Sequence, residues 1–228
     1  MKITYYGHAC FSLETGDTRI LVDPFISPNP LAKAIDVTTI QADYILISHG
    51  HEDHVADALA IAKRTGAMLI SNYEIVNWFA AQGIKHTHPM NLGGSKTFPF
   101  GRVKYVNAVH SSGLPDGTYG GNPGGFVIET DEGTVYYSGD TALTMDMQLI
   151  SRNHKVNLAL LPIGDNFTMG VDDALVCAEM VGCRKILGLH YDTFPYIVIN
   201  HEEARGKAKA KQIELLLPAI GESVNVTN

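Results

Sequence analysis

The sequence predicts an α+β fold: two mixed sheets packed together, with helices on the outside. Three features carry that reading. Two blocks of short alternating strands begin the two halves of the chain. Each block gives way to strands that alternate with helices. Strands in the second part of each half include continuous apolar runs, the pattern of a strand buried on both faces.

The elements follow in order. "KITYYG", "CFSLE" and "TRILVD" are alternating or β-branched runs separated by Gly-His and Thr-Gly-Asp, which reads as an antiparallel meander. "ADYILIS" carries a continuous apolar run, the mark of a strand buried on both faces, and ends at a histidine cluster. In "VADALAIAKRTG", Val55, Ala58, Leu59 and Ala62 fall at helical spacing and Gly66 closes the helix. "AMLIS" resumes a strand and "NYEIVNWFAAQG" a helix. A second antiparallel block comprises "KTFPF", "RVKYVNAVH", "GFVIET" and "TVYYSGD". Strand "VNLALLPIG", a helix carrying Val171, Ala174, Leu175 and Ala178 on one face, strand "KILGLH" and the helical "HEEARGKAKAKQIELLL" complete the chain.

At 228 residues and 45% hydrophobic, the chain is expected to fold as one domain over residues 1–228. Its 24 acidic against 17 basic side chains give a net charge of -7, which argues against a nucleic-acid partner. No apolar stretch approaches the length of a membrane span or a signal peptide, so a soluble, cytoplasmic protein is expected, with no membrane partner. Cys10, Cys177 and Cys183 contain no Cys-x-x-Cys pair and read as reduced, mostly buried thiols.

Chemistry concentrates in "SHGHEDH", residues 48–54, where a buried strand ends and a helix begins. His49 and His51 can face one point, and Asp53 and His54 a neighbouring one. One ion could not easily take all four, but two adjacent ions could. Imidazole and carboxylate donors suit Zn²⁺, Fe²⁺, Mn²⁺ or Ni²⁺. A helix cap would account for Asp53 but not for three histidines in six positions. Further ligands should come from other strand ends, and His110, Asp140 and His190 each follow an apolar strand.

With these residues, "YYGHACF", "LVDPFISPNP", "ISHGHEDH", "YSGDT", "IGDNFTMG" and "GLHYDTFP" resemble the metallo-β-lactamase-fold hydrolases. More closely, they resemble the UPF0173 group of small bacterial metal-dependent hydrolases, related to the ascorbate-phosphate lactonase branch. The resemblance covers essentially the whole chain. It implies a four-layer αβ/βα sandwich with two divalent metal ions per chain, zinc first among them. By the same resemblance His49, His51 and His110 would hold the first ion, Asp53, His54 and His190 the second, with Asp140 bridging. A redox diiron relative usually carries glutamate at the place of His51, which favours the hydrolytic branch.

Two ions about 3.5–4 Å apart can share a water and lower its pKa towards 7. The expected activity is therefore hydrolysis of a small ester-type substrate, a phosphodiester or a lactone, by a metal-bridging hydroxide. Asp53 would orient or deprotonate that nucleophile. His8 reads from sequence as a turn histidine; the resemblance adds a substrate-binding or leaving-group-protonating role. Asp23 is a candidate acceptor that fixes a ligand imidazole, or alternatively caps the turn before Pro24. The alternatives are a non-catalytic metal-binding protein of the same fold and a single-iron oxidative enzyme. The expected partner is a small-molecule substrate, and a homo-oligomer is left open. "PDGTYGGNPGGF" lacks a phosphate-loop ending and reads as a flexible loop able to wall a pocket near His110. Phe167 and Met169 either line the site or belong to the core. His86, His88, His154 and His201 read as surface histidines.

Overall fold

The computed structural model describes residues 1–226. The first sheet takes β1 (Lys2–Gly7), β2 (Cys10–Thr15), β3 (Thr18–Val22), β4 (Tyr44–Leu46), β5 (Met68–Asn72) and β6 (Thr87–Met90). The second takes β7 (Ser95–Phe98), β8 (Gly101–Asn107), β9 (Gly124–Thr130), β10 (Gly133–Tyr137), β11 (Leu158–Pro162), β12 (Lys185–Leu189) and β13 (Glu214–Leu216). A last strand, β14 (Ser223–Asn225), returns to pair with β1. Each sheet has seven strands, in the orders β14-β1-β2-β3-β4-β5-β6 and β13-β12-β11-β10-β9-β8-β7. In both, an antiparallel block turns parallel partway across, at β3–β4 and at β10–β11. These are the two mixed sheets that the paired meanders predict.

The helices are α1 (Glu52–Val55), α2 (Ala58–Thr65), α3 (Tyr73–Ala81), α4 (Gln148–Asn153), α5 (Val171–Met180) and α6 (His201–Ala210). Three apolar clusters define the layers. Phe11, Leu46, Tyr105, Phe126, Leu160 and Leu187 belong to the layer between the sheets. Ile45, Ile61, Val76 and Phe79 pack α2 and α3 on the first sheet, and Ala159, Leu161, Leu175 and Ala204 pack α5 and α6 on the second. Ile45 and Leu46, adjacent in β4, join different clusters. That is the two-sided burial implied by the unbroken apolar run.

Three expectations are corrected. The helix read through residues 55–66 is broken before Ala58, because Asp57 leaves it to accept hydrogen bonds from Ile26 N at 2.6 Å and Ser27 N at 2.9 Å. Gly66 does close α2, in the left-handed conformation. The run from His201 is a helix only to Ala210; Gln212 turns left-handed, and Ile213 and Leu215 are buried as the chain enters β13. His154 is buried and paired with Glu129 at 2.8 Å rather than lying on the surface. All three cysteines are free and buried. Among the described residues no helix is long and apolar enough to cross a membrane.

Candidate metal centre

The parallel strands β4, β11 and β12, the antiparallel β8, and β10, where the second sheet turns parallel, direct their following loops to one edge of the sandwich. His49 lies three residues beyond β4, His110 three beyond β8, Asp140 three beyond β10, and His190 directly after β12. Asp53 and His54 occupy the first turn of α1, which His51 begins as its extended N-cap. The loops approach one another closely. A Cβ on Gly139 would come within 2.3 Å of Gly124 O, and one on Gly164 within 2.1 Å of His190 O. His8, Asp23 and His190 all have positive φ, of 55°, 43° and 54°, a conformation that costs non-glycine residues energy and clusters at functional sites.

The seven expected ligands converge. One group comprises His49, His51 and His110, and another Asp53, His54 and His190, together with His8; within each, a donor atom from every residue lies within 4.8 Å of the others. Asp140 sits between the groups. Its Oδ2 is 3.0 Å from His190 Nε2, 3.2 Å from His54 Nε2, 3.8 Å from His110 Nε2 and 3.9 Å from His49 Nε2. Donors bonded tetrahedrally to an ion at about 2.0–2.1 Å stand about 3.4 Å apart, so these spacings suit ligation.

A second observation agrees. Among the described residues His54 Nε2 is fully buried and has no well-directed hydrogen-bond partner, Asp140 Oδ2 at 3.2 Å being off line, while His54 Nδ1 is bonded to Asp23 Oδ2 at 2.7 Å. An orphaned imidazole nitrogen aimed at two carboxylates, its ring fixed from behind, is the arrangement of a metal ligand. The residues present fit divalent-cation ligation.

Asp23 organises both groups. It accepts from Ser48 N at 2.8 Å, from Tyr137 OH at 2.6 Å and from the Ser48 hydroxyl, which in turn lies 3.0 Å from His49 Nδ1. His51 presents Nδ1 to the cluster, 3.0 Å from His49 Nε2, and its Nε2 meets Ser111 Oγ at 3.2 Å. Ser111 and Thr193, which bonds His8, were not among the sequence-derived candidates. Both lie beside expected ligands, Ser111 next to His110 and Thr193 within GLHYDTFP three residues after His190, but only the fold shows that they bond His51 and His8.

Electrostatics separate the groups. Burial holds His49, His51 and His110 below the ordinary imidazole range. Burial also acts against charge on His54 and His190, but Asp140 outweighs it, aided by Asp53; His190 is raised to about 9 and His54 is raised strongly. The same histidines hold Asp140 and Asp53 far below the carboxylate range, against their burial. Burial lowers His8 to about 4, leaving it neutral near pH 7.

The centre forms the floor of a cavity of about 530 Å³. His51, Asp53, His110, Asp140 and His190 line it, with Ser111, Phe167, Phe194, Pro195 and Tyr196 as its remaining wall. Phe167 is thus a wall residue and Met169 a core residue. The glycine-rich loop does not line the cavity. It is tied down by Asn72 Nδ2 to Gly120 O and Trp78 Nε1 to Asp116, and Ser111, just before it, reaches the site instead.

Fold and centre together define a metallo-hydrolase of the β-lactamase type. The family model described as beta-lactamase superfamily domain matches residues 2–190. A UPF0173 metal-dependent hydrolase of Flavobacterium johnsoniae is 57% identical over 226 residues, covering 99% of this chain and 100% of that one. One of Christiangramia forsetii is 55% identical over 227 residues, covering 99% and 100%. The chain belongs to the UPF0173 metal-dependent hydrolases of the beta-lactamase superfamily. Among solved structures, Igni18, a metallo hydrolase from the archaeon Ignicoccus hospitalis, superposes with a TM-score of 0.88 at 34% identity over 98% of this chain and 97% of its own. An isothiocyanate hydrolase from Delia radicum gut bacteria shares the fold, with a TM-score of 0.78 at 20% identity over 100% and 99%.

Proposed function

We propose that this protein hydrolyses a small, uncharged carboxylic ester or lactone at a centre of two divalent metal ions, zinc first. His49, His51 and His110 would hold one ion, Asp53, His54 and His190 the other, and Asp140 would reach both. Ions held there supply Lewis acidity and lower the pKa of water to about 7.

The observation that favours an uncharged ester over a phosphodiester is the cavity wall. Beyond the ligand residues it offers Phe167, Phe194, Pro195, Tyr196 and one serine, and among the described residues no Lys or Arg lines it. Recognition of a phosphodiester ordinarily draws on cationic side chains, whereas an apolar wall desolvates an uncharged acyl group.

The chain's own residues have separable tasks. Asp53 faces the cavity and stays ionised across the working pH range, so it would accept a hydrogen bond from an attacking water and orient it. When His51 ligates through Nδ1, its Nε2 carries the hydrogen and donates it to Ser111 Oγ. The Ser111 hydroxyl hydrogen is then available to a substrate oxygen. Phe167, Phe194 and Tyr196 exclude water around the acyl group.

The test is turnover of an aryl phosphodiester against a simple lactone and an aryl acetate, on protein loaded separately with zinc and with manganese. Preference for the carboxylic esters is expected, together with loss of turnover in a folded His190→Ala variant. Preference for the phosphodiester would overturn the substrate class, and unchanged turnover in His190→Ala would overturn the two-ion centre.

A further inference from the structure

His8 has no assigned partner in the reaction as described above. It is 1% exposed and is not part of the cavity lining. Both ring nitrogens are engaged: Nε2 meets Asp53 Oδ2 at 3.0 Å and Nδ1 meets Thr193 Oγ1 at 3.1 Å. A carboxylate can only accept, so Nε2 carries the ring hydrogen and donates it to Asp53. Nδ1 is then the acceptor, and the Thr193 hydroxyl, nearer to it than to Tyr191 O at 3.3 Å, donates. The ring is wedged against His190, with centroids 4.0 Å apart, and against Phe25 and Phe194. Its backbone is fixed too, since His190 N donates to His8 O at 2.8 Å.

We propose that Thr193 and His8 form a positioning relay that sets the orientation of the Asp53 carboxylate for the second ion, and that His8 does not protonate a leaving group. The relay joins three distant segments: the β1–β2 turn, the start of α1 and the loop after β12. One oxygen of Asp53 is committed to His8, which limits rotation of the carboxylate about its bond to the chain. Thr193 selects the tautomer that makes this possible. An acid acting on substrate would need a ring N–H aimed into the cavity, and His8 has none to spare. This inference rests on the two-ion reading above.

Cobalt titration of chelator-stripped protein tests the relay without any substrate, because the d–d absorption of bound Co²⁺ reports stoichiometry and ligand field. Wild type is expected to take up two ions. His8→Phe keeps the aromatic packing but removes the donor; Thr193→Val removes only the hydroxyl; His8→Gln restores a donor to Asp53. His8→Phe is expected to weaken the second ion about ten- to a hundred-fold and leave the first unchanged. Thr193→Val should shift the same phase by less, and His8→Gln should recover most of the loss. Wild-type affinity for both ions in His8→Phe and Thr193→Val would overturn the relay while leaving the two-ion reading intact. Equal loss in His8→Gln and His8→Phe would overturn it in favour of His8 as a direct ligand. Uptake of a single ion by wild type would remove the two-ion reading itself and the relay with it. Thr193→Val, nearly isosteric, keeps the test decisive if a His8 variant fails to fold.

Discussion

Asp23 Oδ2 accepts a 2.7 Å hydrogen bond from His54 Nδ1, and both side chains are wholly buried. The same carboxylate holds Ser48, and through Ser48 the ring of His49, so one residue behind the centre orients an imidazole from each histidine group. Asp23→Ala would leave several buried donors without an acceptor. The expected outcome is a stability loss of about 3–5 kcal/mol in chemical denaturation, the cost of breaking a buried pair. Affinity for both ions should fall about ten- to a hundred-fold in competition with a chelator. Loss confined to one ion would contradict the shared support.

The opposite shifts in the two histidine groups predict a difference in pH dependence. His49, His51 and His110 are held neutral by burial, so few protons compete with the first ion near pH 7. His190, raised to about 9, and His54 hold protons that the second ion must displace. Titrating zinc into stripped protein at pH 7, in buffers of different ionisation enthalpy, should show proton release chiefly in the second phase. That phase should weaken as pH falls from 8 to 6 while the first changes little. In stripped protein the sign of linkage for His190 is also fixed. Its folded pKa exceeds the unfolded 6.5, so its contribution to stability is complete below about 6.5 and is lost as pH rises through about 9.

Asp140 approaches four imidazoles from both groups, so its removal should not spare either ion. Asp140→Asn keeps the volume but loses the charge. Bound metal per chain, measured after dialysis against a limiting chelator, is expected to fall below one ion, whereas His110→Ala should retain the second ion. Two tightly bound ions in Asp140→Asn would exclude a bridging role.

Much of this centre was legible because its signals are local. Three histidines in six residues need no fold to stand out, and His110, Asp140 and His190 were marked by the apolar strands they follow. What escaped depends on distance along the chain. Thr193 bonds His8 across 185 residues, and Ser111 meets His51 across 60. His8 and His190 adopt left-handed backbone with no glycine at either position to announce it, and a hydrogen bond across 182 residues joins their backbones. The break between α1 and α2 is likewise tertiary, since Asp57 obeys the helical pattern in sequence but is drawn to Ile26 and Ser27. The short β6, with Pro89 at a sheet edge, shows no alternation to read.

The cavity wall gives a prediction about specificity that is separate from the metals. Phe167 and Tyr196 line the cavity yet are 50% and 74% exposed, with ring centroids 6.1 Å apart in an edge-to-face pair. Side chains so exposed contribute little to folding, so Phe167→Ala and Tyr196→Ala should leave thermal stability nearly unchanged. They offer apolar area that a substrate can bury. Losing one ring should cost an aryl or long-acyl ester about 1.4 kcal/mol, seen as a tenfold rise in KM at nearly constant kcat. A methyl ester too small to touch the rings should be unaffected. Steady-state kinetics on a series of acyl chain lengths checks this: an equal rise in KM for every length would mean that the rings shape the centre rather than contact the substrate.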